Sequence, residues 1–293
     1  MNILEQNAGI FICVLFFLGL LVGSFLNVVV YRLPIMLDRM WRSGCEELLS
    51  NKEDGTFSAK ETEPFNLFFP PSACPNCKTP IKAWQNIPLV SYFILLRGKC
   101  HHCKYPISMR YPLVELLTGC LFAAVAWRFG YGYQAAAGCI FTAFLVAMTF
   151  IDADTQLLPD TLTLPLLWLG LLLSCLFSGH GLFVTPVQAI VGAAIGYLSL
   201  WSIYWLFKLL TKREGMGYGD FKLLAALGAW LGAPALLIVV LISSVAGLLY
   251  ALLSSMGLGK KMPYGPYLAV GGWIALLFGR LILNWMYPGV MLY

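Results

Sequence analysis

A chain of 293 residues that is 59% hydrophobic and only 11% charged, with a mean hydropathy of +0.77, is not an ordinary soluble domain. Its net charge of +5 is loop basicity: residues 32–111 hold eleven of the nineteen Lys and Arg and seven of the fourteen Asp and Glu. An excess of four in a solvated stretch of mixed sign excludes a nucleic-acid-binding surface.

A membrane-spanning helix needs about 20 mainly apolar residues. Segments of that kind run from Gly9 to Val30, Pro112 to Trp127, Gln134 to Ile151, Thr161 to Phe177 and Val187 to Phe207. The last third adds Phe221 to Leu231, Ala233 to Ser254 and Tyr267 to Trp285, and Phe221 to Leu231 is short for a full span. The expected fold is therefore an all-α polytopic membrane protein of about eight transmembrane helices, with a small cytoplasmic zinc-binding module between the first and second. The domain limits are 1–31 for the first helix, 32–111 for the loop and module, and 112–293 for the polytopic domain. The first segment lacks the basic start and small-residue cleavage site of a removable signal peptide, and reads as a retained span.

Short cytoplasmic loops collect Lys and Arg. Residues 1–9 have none and the loop after the first span has eleven, so the amino terminus is expected outside and the loop inside. Alternation then puts Asp152 to Asp160 and Lys208 to Asp220 on the cytoplasmic side. Lys208, Lys212, Arg213, Lys260 and Lys261 agree with that assignment.

Within the loop, Cys74-Pro75-Asn76-Cys77 precedes Cys100-His101-His102-Cys103, giving C-x2-C-x22-C-x2-C. Two pairs of thiolates on paired turns complete a tetrahedral shell, which describes a structural zinc site. Two disulfides are the alternative, against which the cytoplasmic location argues. His101 and His102 read as exposed loop residues, and Cys13, Cys120, Cys139 and Cys175 as small hydrophobes in apolar spans. The stretch from Asp38 to Phe69 reads as a variable loop.

Two carboxylates border hydrocarbon: Asp152 ends the run Phe141 to Ile151, and Asp220 closes Gly215-Met216-Gly217-Tyr218-Gly219-Asp220. An acid at a bilayer costs on the order of a few kcal/mol and marks function by default. Asp154 is either a solvated helix end or a supporting residue, and Asp160 reads as the cap of the next helix. Gly217 and Gly219 indicate closely packed, irregular backbone beside the second acid. Lys222, two positions beyond, reads as an interfacial group at the edge of the site. Two neighbouring carboxyls share one proton, the arrangement of aspartyl proteolysis. The histidines, His101, His102 and His180, suggest no serine or cysteine alternative.

These residues resemble the type IV prepilin peptidases of the GxGD membrane aspartyl proteases. The resemblance rests on Ile151-Asp152-Ala153-Asp154 with Leu158-Pro159-Asp160, and on Gly217-Tyr218-Gly219-Asp220-Phe221-Lys222. Further matches are Gly23 to Val29 with Arg32-Leu33-Pro34, the two cysteine pairs, Arg110 to Glu115, and Tyr264-Gly265-Pro266-Tyr267. The resemblance implies that Asp152 and Asp220 form a catalytic dyad, with Gly217, Gly219, Asp154 and Lys222 as active-site support. It implies prepilin and pseudopilin substrates, met in the lipid bilayer of a bacterial inner membrane and cut at its cytoplasmic face. It also implies methylation of the new amino terminus from S-adenosylmethionine, an activity for which no glycine-rich nucleotide motif is visible. Glu115 and Asn27, polar residues at apolar spans, are the methyl-transfer candidates, with hydrogen bonding between helices as the other reading.

Two other function classes are kept beside this one. A transporter would use them for protons or cations and the cysteine module as a metal sensor. A non-catalytic assembly factor would dock partners through the module.

Overall fold

The computed structural model describes residues 7–50, 64–177, 182–213, 215–253 and 262–286. His180, Lys260, Lys261 and residues 51–63 lie outside the described residues. Among the described residues eight α-helices follow one another: α1 Ala8–Ser50, α2 Arg110–Phe129, α3 Tyr133–Thr155, α4 Asp160–Leu176, α5 Pro186–Thr211, α6 Tyr218–Leu231, α7 Ala233–Leu253 and α8 Gly265–Met286. A 3₁₀ turn at Ala83–Asn86 and a π turn at Ser91–Leu95 break the segment between α1 and α2. Among the described residues there is no extended strand pairing beyond two isolated bridges.

Among the described residues six helices are long and apolar enough to cross a membrane: α1, α2, α3, α5, α7 and α8. Helix α4 is a shorter apolar helix of 17 residues, and α6 has 14. At 1.5 Å per residue α6 reaches only about 21 Å, short of a hydrocarbon core of about 30 Å. Many large apolar side chains elsewhere are exposed, among them Phe17, Leu172, Leu206, Leu248 and Trp285, as lipid-facing groups should be. The protein is a multi-pass membrane protein.

Helix α1 departs from the expected loop. It continues past Val30 and through Pro34 for 43 residues, so the stretch from Asp38 to Leu49 is helical rather than irregular. Apolar residues recur on one face here, with Leu26, Val29, Val30 and Leu37 buried, and Asp38 pairs with Arg42 at 2.9 Å one turn on.

The chain forms two compact units, residues 16–120 and residues 1–15 with 121–293. In the second unit α6 is the central helix. Phe221, Leu223, Leu224, Ala225, Ala226, Leu227, Ala229 and Trp230 are all buried, because α4, α5, α7 and α8 pack around it. Close approach is bought with small residues: a Cβ on Gly228 of α6 would strike the Gly192 carbonyl of α5. Trp230 donates its indole N–H to the Leu166 carbonyl of α4 at 2.8 Å, which satisfies the one polar atom of that buried ring. A helix surrounded by protein need not match the bilayer in length, which is why α6 can be short.

Candidate active site

Asp152 stands in the last turn of α3, four residues before the helix closes at Gln156, which adopts a left-handed φ of 53°. Asp220 stands in the first turn of α6, three residues after its N-cap, Gly217. An end of α3 and the starts of α6 and α8 thus meet at one end of the unit. Both side chains are buried, at 4% and 7% exposure, and the charge of Asp152 acts on Asp220. The paired acids expected from the sequence are together.

Of the two glycines, Gly219 serves close approach, since a Cβ there would lie 2.6 Å from Cβ of Leu158, whereas one on Gly217 would meet Oδ2 of Asp220 at an ordinary 3.7 Å. Leu158 is buried between the starts of α6 and α8, since its Cδ1 also faces Gly265. Gly265 opens α8 and donates its N–H to Oδ2 of Asp152 at 3.0 Å. Tyr264, the residue before it, lies within the electrostatic reach of Asp220. Neither residue had been given a role from sequence, although both sit in the Tyr264-Gly265-Pro266-Tyr267 motif. A backbone donor leaves no trace in residue type beyond the glycine itself.

Two of the four supporting residues, Asp154 and Lys222, fall elsewhere, and Asp160 is not the expected cap. Asp154 is exposed, two positions past Asp152 and on another face of the helix. Asp160 does not cap α4: Pro159 is the N-cap, with no side-chain bond, and Asp160 is the first helical residue. Its carboxylate instead receives Lys222 of α6, at 2.7 Å to each oxygen. Lys222 is therefore committed to Asp160 and binds α6 to α4, because position i+2 points away from Asp220.

In the unit of residues 16–120 the four cysteines come together. Each pair sits on the same turn: Lys78 N–H bonds Cys74 O and Cys74 N–H bonds Thr79 O, while Lys104 N–H bonds Cys100 O and Cys100 N–H bonds Tyr105 O. Lys78 and Lys104 take matching left-handed φ values of 57° and 60°. All four Sγ atoms lie within 4.8 Å of one another, with Cys74 and Cys103 3.7 Å apart and Cys77 and Cys100 4.0 Å apart. Bonds of about 2.3 Å at tetrahedral angles put sulfurs about 3.8 Å apart, so the cluster fits one metal ion; the cysteines are free thiols, not disulfides. The Cys77 thiol is lowered to about 6 by the Thr79 hydroxyl and amide, and backbone N–H groups of Cys103 and His102 lower Cys100. Those two shifts favour the thiolates that metals take, while burial and the neighbouring thiols raise Cys74. His101 and His102 are exposed and outside the cluster.

The same unit holds Glu115 and Asn27. Glu115 is buried in α2 and accepts Leu89 N–H at 2.9 Å, with Gly23 of α1 against its Cα. Asn27 donates its side-chain amide to Tyr111 O at 3.1 Å. Arg32, also buried, donates to the carbonyls of Asn66 and Pro70 at 2.9 and 2.7 Å, and so fastens that loop to α1.

Residues 17–129 match the bacterial peptidase A24 N-terminal domain, and residues 139–252 match the type IV leader peptidase family. A Stutzerimonas stutzeri protein named prepilin leader peptidase/N-methyltransferase is 52% identical over 283 residues, covering 94% of this chain and 93% of that protein. The chain belongs to the type IV leader peptidase family. Proteins of the same name from Neisseria gonorrhoeae and Pseudomonas aeruginosa are 53% and 52% identical, over 88% and 95% of this chain and 87% and 94% of their own lengths. No solved structure matches. The leader peptidase match contains Asp152, Asp220 and the Gly217 to Gly219 approach, while the N-terminal match contains the four cysteines, Asn27 and Glu115. Tyr264 and Gly265 lie beyond both.

Proposed function

We propose that this leader peptidase family member removes the basic leader of prepilins and pseudopilins with Asp152 and Asp220 as its catalytic dyad. The observation that carries the reading is the burial of both carboxyls at one end of the bundle, with Asp220 in the field of Asp152. Two such groups hold one proton between them. The ionised member takes a proton from water as the water oxygen bonds to the scissile carbonyl carbon. The protonated member gives its proton to the amide nitrogen as the carbon–nitrogen bond breaks. One proton enters from water and one leaves with the amine, so the dyad ends as it began. The relatives' names, which join a peptidase to a methyltransferase, support this reading and disfavour a transporter or an assembly factor.

The proposed setting is a bacterial inner membrane, with the amino terminus outside and the cysteine module and both aspartates at the cytoplasmic face. Loop basicity supports it, because Lys208, Lys212 and Arg213 precede α6 on the aspartate side. A substrate helix lying in the bilayer then presents its cytoplasmic end at the depth of the dyad. Zinc is the proposed ion for Cys74, Cys77, Cys100 and Cys103, where it closes the shell and holds the two turns together. S-adenosylmethionine is the proposed methyl source, supplying an activated methyl group when bound. Glu115 is the candidate residue of that second activity, while Asn27 spends its amide on Tyr111 and holds α1 to α2.

The test is cleavage of a purified prepilin by the detergent-solubilised protein. Asp152→Asn and Asp220→Asn should each lower the rate by about 10²- to 10⁴-fold, the span of general acid–base catalysis. Cleavage at the parent rate by either variant would remove that residue from the dyad.

A further inference from the structure

The first turn of α8 has an unusual distribution of backbone donors. The leading N–H groups of a helix have no partner within it and must be satisfied from outside. Pro266 has no N–H. Tyr267 and Leu268 both donate to the Tyr264 carbonyl at 3.2 Å. One donor is left at the head of the helix, the N–H of Gly265, and it goes to Oδ2 of Asp152.

The absence of a side chain at Gly265 serves the same contact. Its φ is outside the left-handed region, so the backbone conformation does not demand glycine. Space does. A Cβ there would stand 2.6 Å from Oδ2 of Asp152 and 3.1 Å from its carboxyl carbon, closer than such atoms approach.

We infer that Gly265 is a positioning residue of the active site, fixing one oxygen of the Asp152 carboxylate through its N–H and leaving Oδ1 to take part in chemistry. The inference rests on the dyad reading above and extends the site to α8, outside the stretch matched by the leader peptidase family. Tyr264 belongs to the same junction: it accepts two α8 N–H groups through its carbonyl while its side chain lies in the field of Asp220. The contact of Gly265 with Asp152 thus ties the head of α8 to the end of α3.

The steric argument sets the size of the effect. Relief of a 2.6 Å contact requires the carboxylate to move by several tenths of an ångström or more, and a misplacement of about 1 Å in catalytic geometry costs on the order of 10²-fold.

Gly265→Ala, Gly272→Ala, Asp152→Asn and Asp220→Asn are compared in prepilin cleavage and thermal unfolding in detergent. Gly272 is the matched control on the same helix, since its Cβ would also stand 2.6 Å from a buried side-chain end, Cδ2 of Leu227. The expected result is a fall in kcat of about 100-fold for Gly265→Ala with KM unchanged, and a kcat for Gly272→Ala within threefold of the parent at equal or greater loss of thermal stability. Gly265→Ala cutting within threefold of the parent while both asparagine variants are inactive overturns the positioning role and leaves the dyad standing. An equal loss of kcat in Gly265→Ala and Gly272→Ala also overturns it, because packing alone then accounts for the effect. Cleavage by an asparagine variant instead removes the dyad on which the inference rests.

Discussion

Lys222 on α6 holds both carboxylate oxygens of Asp160 on α4 at 2.7 Å, so the cation beside Asp220 in sequence is directed to a different acid in space. The pair is partly exposed, at 29% and 55% of the two side chains. Exposed ion pairs contribute about 0–1 kcal/mol and weaken with salt. Lys222→Met should therefore lower unfolding stability by less than about 1 kcal/mol, with the difference shrinking in high salt. Prepilin cleavage should stay within a few-fold of the parent. A loss of cleavage comparable to Asp220→Asn would return Lys222 to the chemistry.

The approach of α5 to α6 makes a stronger demand on sequence. Gly192 and Gly228 place backbone against backbone, and neither can accept a Cβ without moving a helix. Gly228→Leu should abolish both thermal cooperativity and cleavage, since a side chain at that contact displaces the helix that carries Asp220. Gly9→Leu, at a position with open space around it, is the control and should leave both unchanged. Circular dichroism melts in detergent, read beside the cleavage rate, distinguish the two.

Much of this arrangement was legible in the sequence, for reasons that differ by residue. Asp152 and Asp220 stood out because acids at the edge of apolar runs are costly, and the two pairs of cysteines because metal ligands need fixed spacing. Eight helices follow from hydropathy, but among the described residues six of them, not eight, are long and apolar enough to span a membrane, α4 and α6 being shorter. What sequence did not disclose were features set by tertiary partners. Helix α1 runs on to Ser50, with Leu37 buried beyond Pro34 and Asp38 paired to Arg42 one turn on, where polarity alone suggests a loop. Asp160 had the composition of a cap, yet a cation from another helix claimed it. Gly265 acts through its backbone, and only its neighbours in space reveal that.

The cysteine module makes a prediction independent of proteolysis. Four thiols within 4.8 Å of one another, on two turns of the same design, should bind about one zinc per chain. Changing Cys74 and Cys77 together to Ser should abolish the metal, and a strong chelator should lower the melting temperature, because ion binding contributes to folding of the loop. Elemental analysis of protein purified without chelators checks the stoichiometry. Protein of full activity and stability that contains no metal would contradict the assignment.

Glu115 can be probed so that its structural and chemical roles part. Its carboxylate accepts Leu89 N–H at 2.9 Å, and that contact ties the stretch before the π turn to α2. Glutamine at this position keeps a carbonyl oxygen for the Leu89 donor but removes the negative charge, whereas alanine removes both. A buried donor left unsatisfied costs about 1–3 kcal/mol, so Glu115→Ala should be clearly less stable while Glu115→Gln should unfold near the parent temperature. If the charge serves methyl transfer, Glu115→Gln should cut prepilin normally yet methylate a pre-cut pilin at less than a tenth of the parent rate. The measurement is mass spectrometry of the mature amino terminus after incubation with S-adenosylmethionine. Parent-level methylation by Glu115→Gln would confine Glu115 to holding Leu89 and remove it from methyl transfer.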